Sequence, residues 1–401
     1  MSVCRAGLFL FFFEVIMSDK RHEARYQRRK LRREMKRESA VGRFDDFGRV
    51  ADAGNLCDAF RRAKRGVAWK ESVQRYEANL LMNVSEAKRR LITGGDVRRG
   101  FVEFDVNERG KIRHIKSIHI SERVIQKCLC NEVLLPVLRR PLIHDNGASI
   151  KGKGISFSIK RLTTHLRRFY RENGNSNEGY ALQIDFRKFF DSIDHAILER
   201  QLADHITDSR VLNLLHDFIS AFGPEKSLGL GSEVSQICAV FFPNSLDHCI
   251  KEEWRIKYFG RYNDDSYIIH RSKEFLRTIL WKIRQICASL KITLNLTKTR
   301  IVKLSHGVCF LKGRYILSKT GRIIKLSRGA VLGQRRRKLR KFQRLVSEGK
   351  MSMADVRTSY QSWRGNFKRR FNEYDRVRRM DKFYNELFIY NRAFAGAHRK
   401  I

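Results

Sequence analysis

Apolar positions recur at helical spacing from residue 50 to residue 92, so this stretch is expected to form helices. The pattern then changes period. Phe101–Val106 and Lys111–Ser117 read as two strands, and the intervening Asn107-Glu108-Arg109-Gly110 is a hairpin turn signal. Helical spacing returns at Ser121 and predicts a helix to about Leu138, ending before Pro141. Between residues 176 and 326 short strands and helices alternate. Tyr180–Asp185 reads as a strand leading through a turn into a helix over Ile193–Ala203, and Tyr258–Arg261 and Ser266–His270 are β-rich runs flanking Asn263-Asp264-Asp265. Beyond Gly329 the chain becomes helical and basic, most densely at Gln334–Arg344, with Trp363 and Phe367 spaced to anchor a small helical bundle. No internal repeat interrupts this order, and only 4 prolines occur.

Composition adds two constraints. An apolar fraction of 42% is enough to bury a real core, and 401 residues leave room for about two or three structural units. The charge points outward to partners: 83 Lys and Arg against 42 acids give +41, a field that collects polyanions. Nucleic acid is the first expectation, with an anionic membrane surface or ribosome association as the alternatives. Ten basic residues and three acids fall within Lys20–Glu38, with no apolar stripe, which suits either a solvated arm or one that orders on nucleic acid. The apolar run Ala6–Met17 is shorter than the ~20 residues that span a bilayer and is broken by Glu14. A signal peptide would need a small-residue cleavage site that does not follow, so translation is expected to start at Met17 and no stable membrane association is expected. The 8 cysteines contain no C-x-x-C pair; the isolated Cys128/Cys130 and the rest read as reduced thiols filling the core.

The chemistry-bearing positions are acidic. Asp264 and Asp265 adjoin in a turn between apolar strands, a costly pairing unless cations neutralise it, although an ordinary polar turn uses the same residue types. Asp185 ends an apolar strand and is followed by Phe186, Phe189 and Phe190, an arrangement that suits a metal ligand at a strand's C-terminal edge. Asp191 competes for that role, but its position predicts a cap for the helix beginning near Ile193.

Together these segments resemble the reverse transcriptase family from about residue 100 to residue 325. Asp185-Phe186-Arg187-Lys188-Phe189-Phe190-Asp191 is similar to the first palm motif, and Tyr262-Asn263-Asp264-Asp265 to the Y-x-D-D box. Gly229-Leu230-Gly231-Ser232-Glu233-Val234-Ser235-Gln236 resembles the motif at the nucleotide site, Leu294–Thr299 the next motif with its lysine, and Phe310-Leu311-Lys312-Gly313 the primer grip. Arg113, Ser121–Gln126 and Lys151–Gly154 resemble the fingers blocks. The resemblance implies an α+β right-hand polymerase: a basic arm (1–38), fingers (39–175), a palm with an antiparallel sheet (176–326) and a helical thumb (327–401).

The activity it implies is RNA-directed DNA polymerisation, a primer being extended by two-metal phosphoryl transfer. Two Mg²⁺ ions, with Mn²⁺ as the alternative, would be held by Asp185, Asp264 and the more weakly placed Asp265, with Phe186 beside them; carboxylates suit so hard a cation. Phe190 is the implied steric gate against a 2′-hydroxyl, and a core residue is the competing reading. Lys111, Arg113 and Lys151 would hold the triphosphate, and Phe186, Leu230, Gly231 and Gln236 would border the nucleotide. Lys298 would protonate the departing pyrophosphate, and Phe310, Leu311 and Gly313 would seat the primer. Implied partners are an RNA template, a DNA or RNA primer and dNTPs, with a structured non-coding RNA or a small basic accessory protein as additions, in a bacterial cytoplasm.

The departures from the family pattern are informative. Leu230 stands where glutamine is usual and Gln236 where proline is usual, a combination similar to the reverse transcriptases of diversity-generating retroelements, which implies error-prone copying at template adenines. Asn263 occupies the variable box position, Lys312 is inserted in the primer grip, and a lysine replaces an arginine in the fingers block. Ser359–Gly365 resembles the thumb helix of compact bacterial enzymes, and no H-N-H, zinc or RNase H pattern is found. A defence-associated or orphan bacterial reverse transcriptase is the alternative, and a non-catalytic, maturase-like RNA-binding protein the third reading.

Overall fold

The computed structural model describes residues 23–32, 34–35, 38–39, 44–108 and 111–390. The Ala6–Met17 stretch, the expected start at Met17 and the Arg109-Gly110 turn lie outside them. Residues 23–32 of the basic arm are helical. The chain divides into two units that interleave in sequence.

One unit takes the chain up to Gly154, with Phe186–Lys257 and Lys282–Leu294. Its early helices begin where short acids satisfy free backbone N–H groups: Asp46 accepts from Gly48 N ahead of Phe47–Val50, and Asp52 from Asn55 N ahead of Ala53–Ala63. Leu56, Ala59 and Phe60 are the buried face of the second helix, packed against Ile120–Leu129, which buries Val124, Ile125, Cys128 and Leu129. The expected helix to Leu138 is present, but with a widened turn over Cys130–Leu134, where Leu135 N donates five residues back to Cys130 O. Such a turn follows from tertiary packing and leaves no mark in a 3.6-residue period. Cys128 and Cys130 are both buried, and the described cysteines are all free thiols. The predicted hairpin forms strands β1 (Phe101–Glu108) and β2 (Lys111–Ile118), paired antiparallel from Phe101↔Ile118 to Glu108↔Lys111.

One local expectation is corrected. Ile193 does not start a helix; it is extended, and Asp191 lies inside a short helix, Phe189–Ser192. The following helix is His195–Ala203, and its cap is Asp194, whose Oδ1 accepts from Ile197 N at 3.0 Å. Asp194 wins because its other oxygen also accepts from Lys291 Nζ at 2.6 Å, a partner 97 residues away that sequence spacing cannot reveal.

The other unit comprises Ile155–Asp185, Tyr258–Trp281 and the chain from Asn295. Strands β3 (Tyr180–Asp185), β4 (Phe259–Tyr262), β5 (Asp265–His270) and β6 (Arg300–Lys303) form an antiparallel sheet in the order β4-β5-β3-β6. A second sheet orders β7 (Val308–Phe310), β8 (Gly313–Leu317) and β9 (Ile323–Ser327) as a meander. Helix Ile155–Glu172 contributes Ile159, Leu162, Leu166 and Phe169 to a core shared with Ala181, Tyr267, Ile269, Phe310, Tyr315 and Leu317. Three basic helices, Ala330–Ser347, Met353–Arg370 and Tyr374–Phe388, close around Leu339, Val356, Tyr360, Met380 and Phe388. Phe367 is buried there and the half-buried Trp363 ring lies 5.1 Å from it, as their spacing predicts. No described helix is long and apolar enough to cross a membrane.

Candidate active site

In the second unit, the register of β3 and β5 sets Asp185 directly opposite Asp265. Side chains of directly opposed residues share one face with Cβ atoms about 5 Å apart, and like charges there are destabilising. Asp264 adds a third acid. It sits with Asn263 in the two-residue turn that joins β4 to β5, closed by the Tyr262↔Asp265 pair. Asn263 has φ +53, a left-handed conformation that asparagine tolerates better than most residues. The polar residue at the variable box position therefore has a backbone reason to be there.

The fold offsets the acids in two ways. Lys298 Nζ lies 2.8 Å from Asp185 Oδ1 and 2.6 Å from Oδ2. Asn295 Nδ2 donates to the same Oδ1 at 3.0 Å, Asp185 N donates to Thr299 Oγ1 at 3.3 Å, and Asn295 N donates to Asp185 O at 2.8 Å. The Asn295–Thr299 turn thus grips Asp185 by side chain and backbone. Asp265 is handled by protonation: burial pushes its carboxyl up to about 7, Leu311 N–H opposes the rise, and Asp264 and Asp185 add to it.

That N–H comes from a second tight turn. Leu311 N donates to Asp265 Oδ2 at 2.9 Å, and the Phe310↔Gly313 pair makes Leu311-Lys312 the two central residues of the β7–β8 hairpin. Both are left-handed, with φ +48 and +68, the combination a type I′ turn requires. Without glycine, each such residue costs about 1–3 kcal/mol, and a hydrogen bond to a charged group returns about 1.5–3. One such bond does not offset two strained residues. A second is present: Arg370 Nη2 donates to Leu311 O at 2.7 Å. The inserted Lys312 therefore completes a two-residue turn. Phe310 itself is core, its ring 5.0 Å from that of Tyr267, and Gly313 is buried where a Cβ would meet the Tyr315 hydroxyl at 2.7 Å.

The remaining predicted residues belong to the first unit. Phe186 and Phe189 are buried with ring centroids 5.1 Å apart, whereas Phe190 is only partly buried. Leu228 N donates to Phe190 O at 2.9 Å, which joins Phe190 to the segment carrying Leu230, Gly231 and Gln236. Lys116 N donates to Leu230 O at 3.0 Å, and Gly231 has φ +131, with Lys116 O only 2.5 Å from where a Cβ would sit. Ser232 caps the helix Glu233–Phe241, its hydroxyl donating to Gln126 Oε1 at 2.7 Å. Gly231, Ser232 and the exposed Gln236 line a cavity of about 310 Å³ together with Arg62 and Arg123. Lys151 and Arg113 are exposed, and Lys153 rather than Lys151 is the loop lysine tied to backbone, at His144 O and Asn146 O. Lys111 opens β2 opposite Glu108.

Residues 106–312, just over half of the chain, match the family described as reverse transcriptase (RNA-dependent DNA polymerase). The chain belongs to that family. Its mixed helical and antiparallel-sheet polymerase fold is the one expected. No curated protein matches the chain. Telomerase from Candida albicans, solved with a fragment of telomeric RNA, is similar at 13% identity and TM-score 0.44, over 57% of this chain and 45% of that one. Apo telomerase from Candida tropicalis, truncated from its C-terminal domain, is similar at 13% identity and TM-score 0.43, over 56% and 54%. The chain thus spans about half the length of these solved relatives.

Reverse transcriptases as a family use divalent metal ions, and the donor set fits one. Two opposed carboxylates with a third alongside place like charge and hard oxygen donors together in the fold. Its own remedies, an ammonium on Asp185 and a proton on Asp265, can each give way to a cation. Among the described residues no three acidic, histidine or cysteine side chains already converge as a cage. Magnesium sites of this kind use one or two carboxylates and complete their shell with water and substrate phosphates. Asn295, Thr299 and Arg370 were not singled out from sequence. The first two lie within the Leu294–Thr299 motif, so their signal was present; Arg370 had none.

Proposed function

We propose that this reverse transcriptase copies an RNA template into DNA by extending a primer, with Mg²⁺ as its ion. The observation that supports this most directly is the Asp185–Asp265 opposition, which a stability-driven sheet would avoid. In this reading Asp185 and Asp264 bind the ions and Asp265 assists from its partly buried position. Bound metal would lower the barrier by activating the primer 3′-hydroxyl and neutralising the leaving pyrophosphate. Lys298 pairs with Asp185 in the free enzyme and, once displaced, would give a proton to pyrophosphate. Phe190 meets the sugar, Leu230, Gly231 and Gln236 border the base, and Arg113, Lys111 and Lys151 hold phosphates. Residues 39–175 act as fingers, 176–326 as palm and 327–390 as a thumb that holds duplex through its phosphates.

We further assign the chain to the diversity-generating type. Leu230 removes the hydrogen-bonding groups a glutamine would offer, in a segment held by Lys116 and by the close approach at Gly231. The assay is incorporation of labelled dNTPs on a primed RNA, with and without Mg²⁺, followed by sequencing of the product. Metal-dependent extension with substitutions concentrated at template adenines is the expected result. Accurate copying would place the enzyme with the defence-associated or orphan group, and absence of incorporation would leave an RNA-binding protein.

A further inference from the structure

We propose that Arg370 is a positioning residue: by holding the Leu311 carbonyl it fixes the turn that orients Asp265 and seats the primer end. The inference rests on the polymerase reading above and names a component of that site. Leu311 sits between two partners, its N–H on Asp265 Oδ2 at 2.9 Å and its C=O on Arg370 Nη2 at 2.7 Å. Both central residues of the turn are left-handed without being glycine, so the turn keeps its shape only while something outside it holds it. Asp265 holds one side. Arg370 holds the other.

The chain delivers Arg370 to that point with care. It is the last residue of the helix Met353–Arg370, and the next residues are stapled to β9. Asn372 N donates to Lys325 O at 2.9 Å, and Glu373 Oε2 accepts from Ser327 N at 2.6 Å. The guanidinium lies over the Phe371 ring at 5.4 Å, and no described carboxylate pairs with it; its Nε has no hydrogen-bond partner. The guanidinium also lies beside the buried Tyr315 hydroxyl and donates to the Leu311 carbonyl, on the turn whose N–H reaches an active-site acid.

The test compares wild type with Arg370→Gln in two measurements. Hydrogen exchange over Val308–Gly313 reads the turn without reference to activity. Single-nucleotide addition on a primed RNA reads the chemistry. In the variant, exchange across the turn is expected to rise about tenfold or more as local opening becomes easier. Maximal turnover should fall about ten- to hundredfold, as for a small misplacement of reacting groups. The KM for dNTP should stay within about twofold, because nucleotide binding is not what the contact serves. Arg370→Lys, which keeps one donor, should recover part of both. Should the glutamine variant not fold, Arg370→Met keeps the stem, drops every donor and is read in the same way. Unchanged exchange, or unchanged turnover with only weaker duplex binding, overturns the inference. A wild-type chain that adds no nucleotide overturns the polymerase reading itself, so the two failures are distinct.

Discussion

Both carboxylate oxygens of Asp185 face the Lys298 ammonium, at 2.8 and 2.6 Å, so the chain supplies its own cation where a metal ion is proposed. Half of the Lys298 side chain is exposed, against 14% for Asp185, so the lysine can withdraw without unpacking the core. Lys298→Gln is therefore expected to leave the fold intact and to slow nucleotide addition about a hundredfold, the typical worth of a positioned proton donor. Its Mg²⁺ requirement should fall, since the competing ammonium is gone. A variant with wild-type turnover at saturating Mg²⁺ would remove Lys298 from the mechanism.

Gly231 tests the segment beside the proposed base pocket. A Cβ there combines a backbone conformation reserved for glycine with a 2.5 Å approach to Lys116 O, and neither backbone can yield cheaply. Gly231→Ala should destabilise the folded chain by about 2 kcal/mol or more, read as a lowered urea midpoint. An alanine variant as stable as wild type would mean that the Leu230–Gly231 segment is not pinned to β2.

Phe190 is the partly exposed member of an aromatic trio whose other two rings are buried. Replacing it with alanine should leave stability nearly unchanged and raise ribonucleotide incorporation relative to deoxynucleotide by about ten- to a hundredfold, the range a lost steric contact supports. Competition between the two substrates on one primed template measures it. An unaltered ratio would return Phe190 to the core.

The helical bundle carries a pH signature. Burial works against ionisation of Asp381, but hydrogen bonds from Arg364, at 2.8 and 2.9 Å, and from Tyr360, at 2.7 Å, outweigh it and hold the carboxyl below its ordinary range. A carboxyl lowered on folding adds stability above its unfolded value of about 4 and loses that contribution as acid protonates it. Asp381→Asn should cost on the order of 1 kcal/mol at pH 7, discounted for solvent screening of this partly exposed pair. The gap between variant and wild type should close in acid, once the pH has fallen through the carboxyl's lowered folded-state value. Urea titrations at pH 7 and in acid decide, and a gap that persists in acid would mean the loss is one of packing.

Much of this site was legible in the sequence because its signals are local. The apolar runs of β3 and β5, the Asn263-Asp264 turn and the Phe101–Ser117 hairpin each fit within a few residues, where period and turn chemistry decide the outcome. The position of the helix cap was not legible, because Asp191 and Asp194 are equally able caps until Lys291 selects the second. The widened turns at Cys130–Leu134 and Cys249–Glu253 follow from packing on all sides and have no sequence period. Arg370 was invisible for a related reason: it is one of many basic residues in its helix, and its partner lies 59 residues away. The same distance hid the value of Lys312, which reads as an insertion in a motif and folds as half of a turn.

In the proposed enzyme Asp185, Asp264 and Asp265 form the metal site of an RNA-copying polymerase. Asp264 is the sharpest probe, because it lies in the half-buried turn between β4 and β5 and outside the strand pairing itself. Primer extension on an RNA template should be abolished in Asp264→Ala, while the affinity for that RNA stays close to wild type at the same salt concentration. Extension retained by the alanine variant would contradict the account.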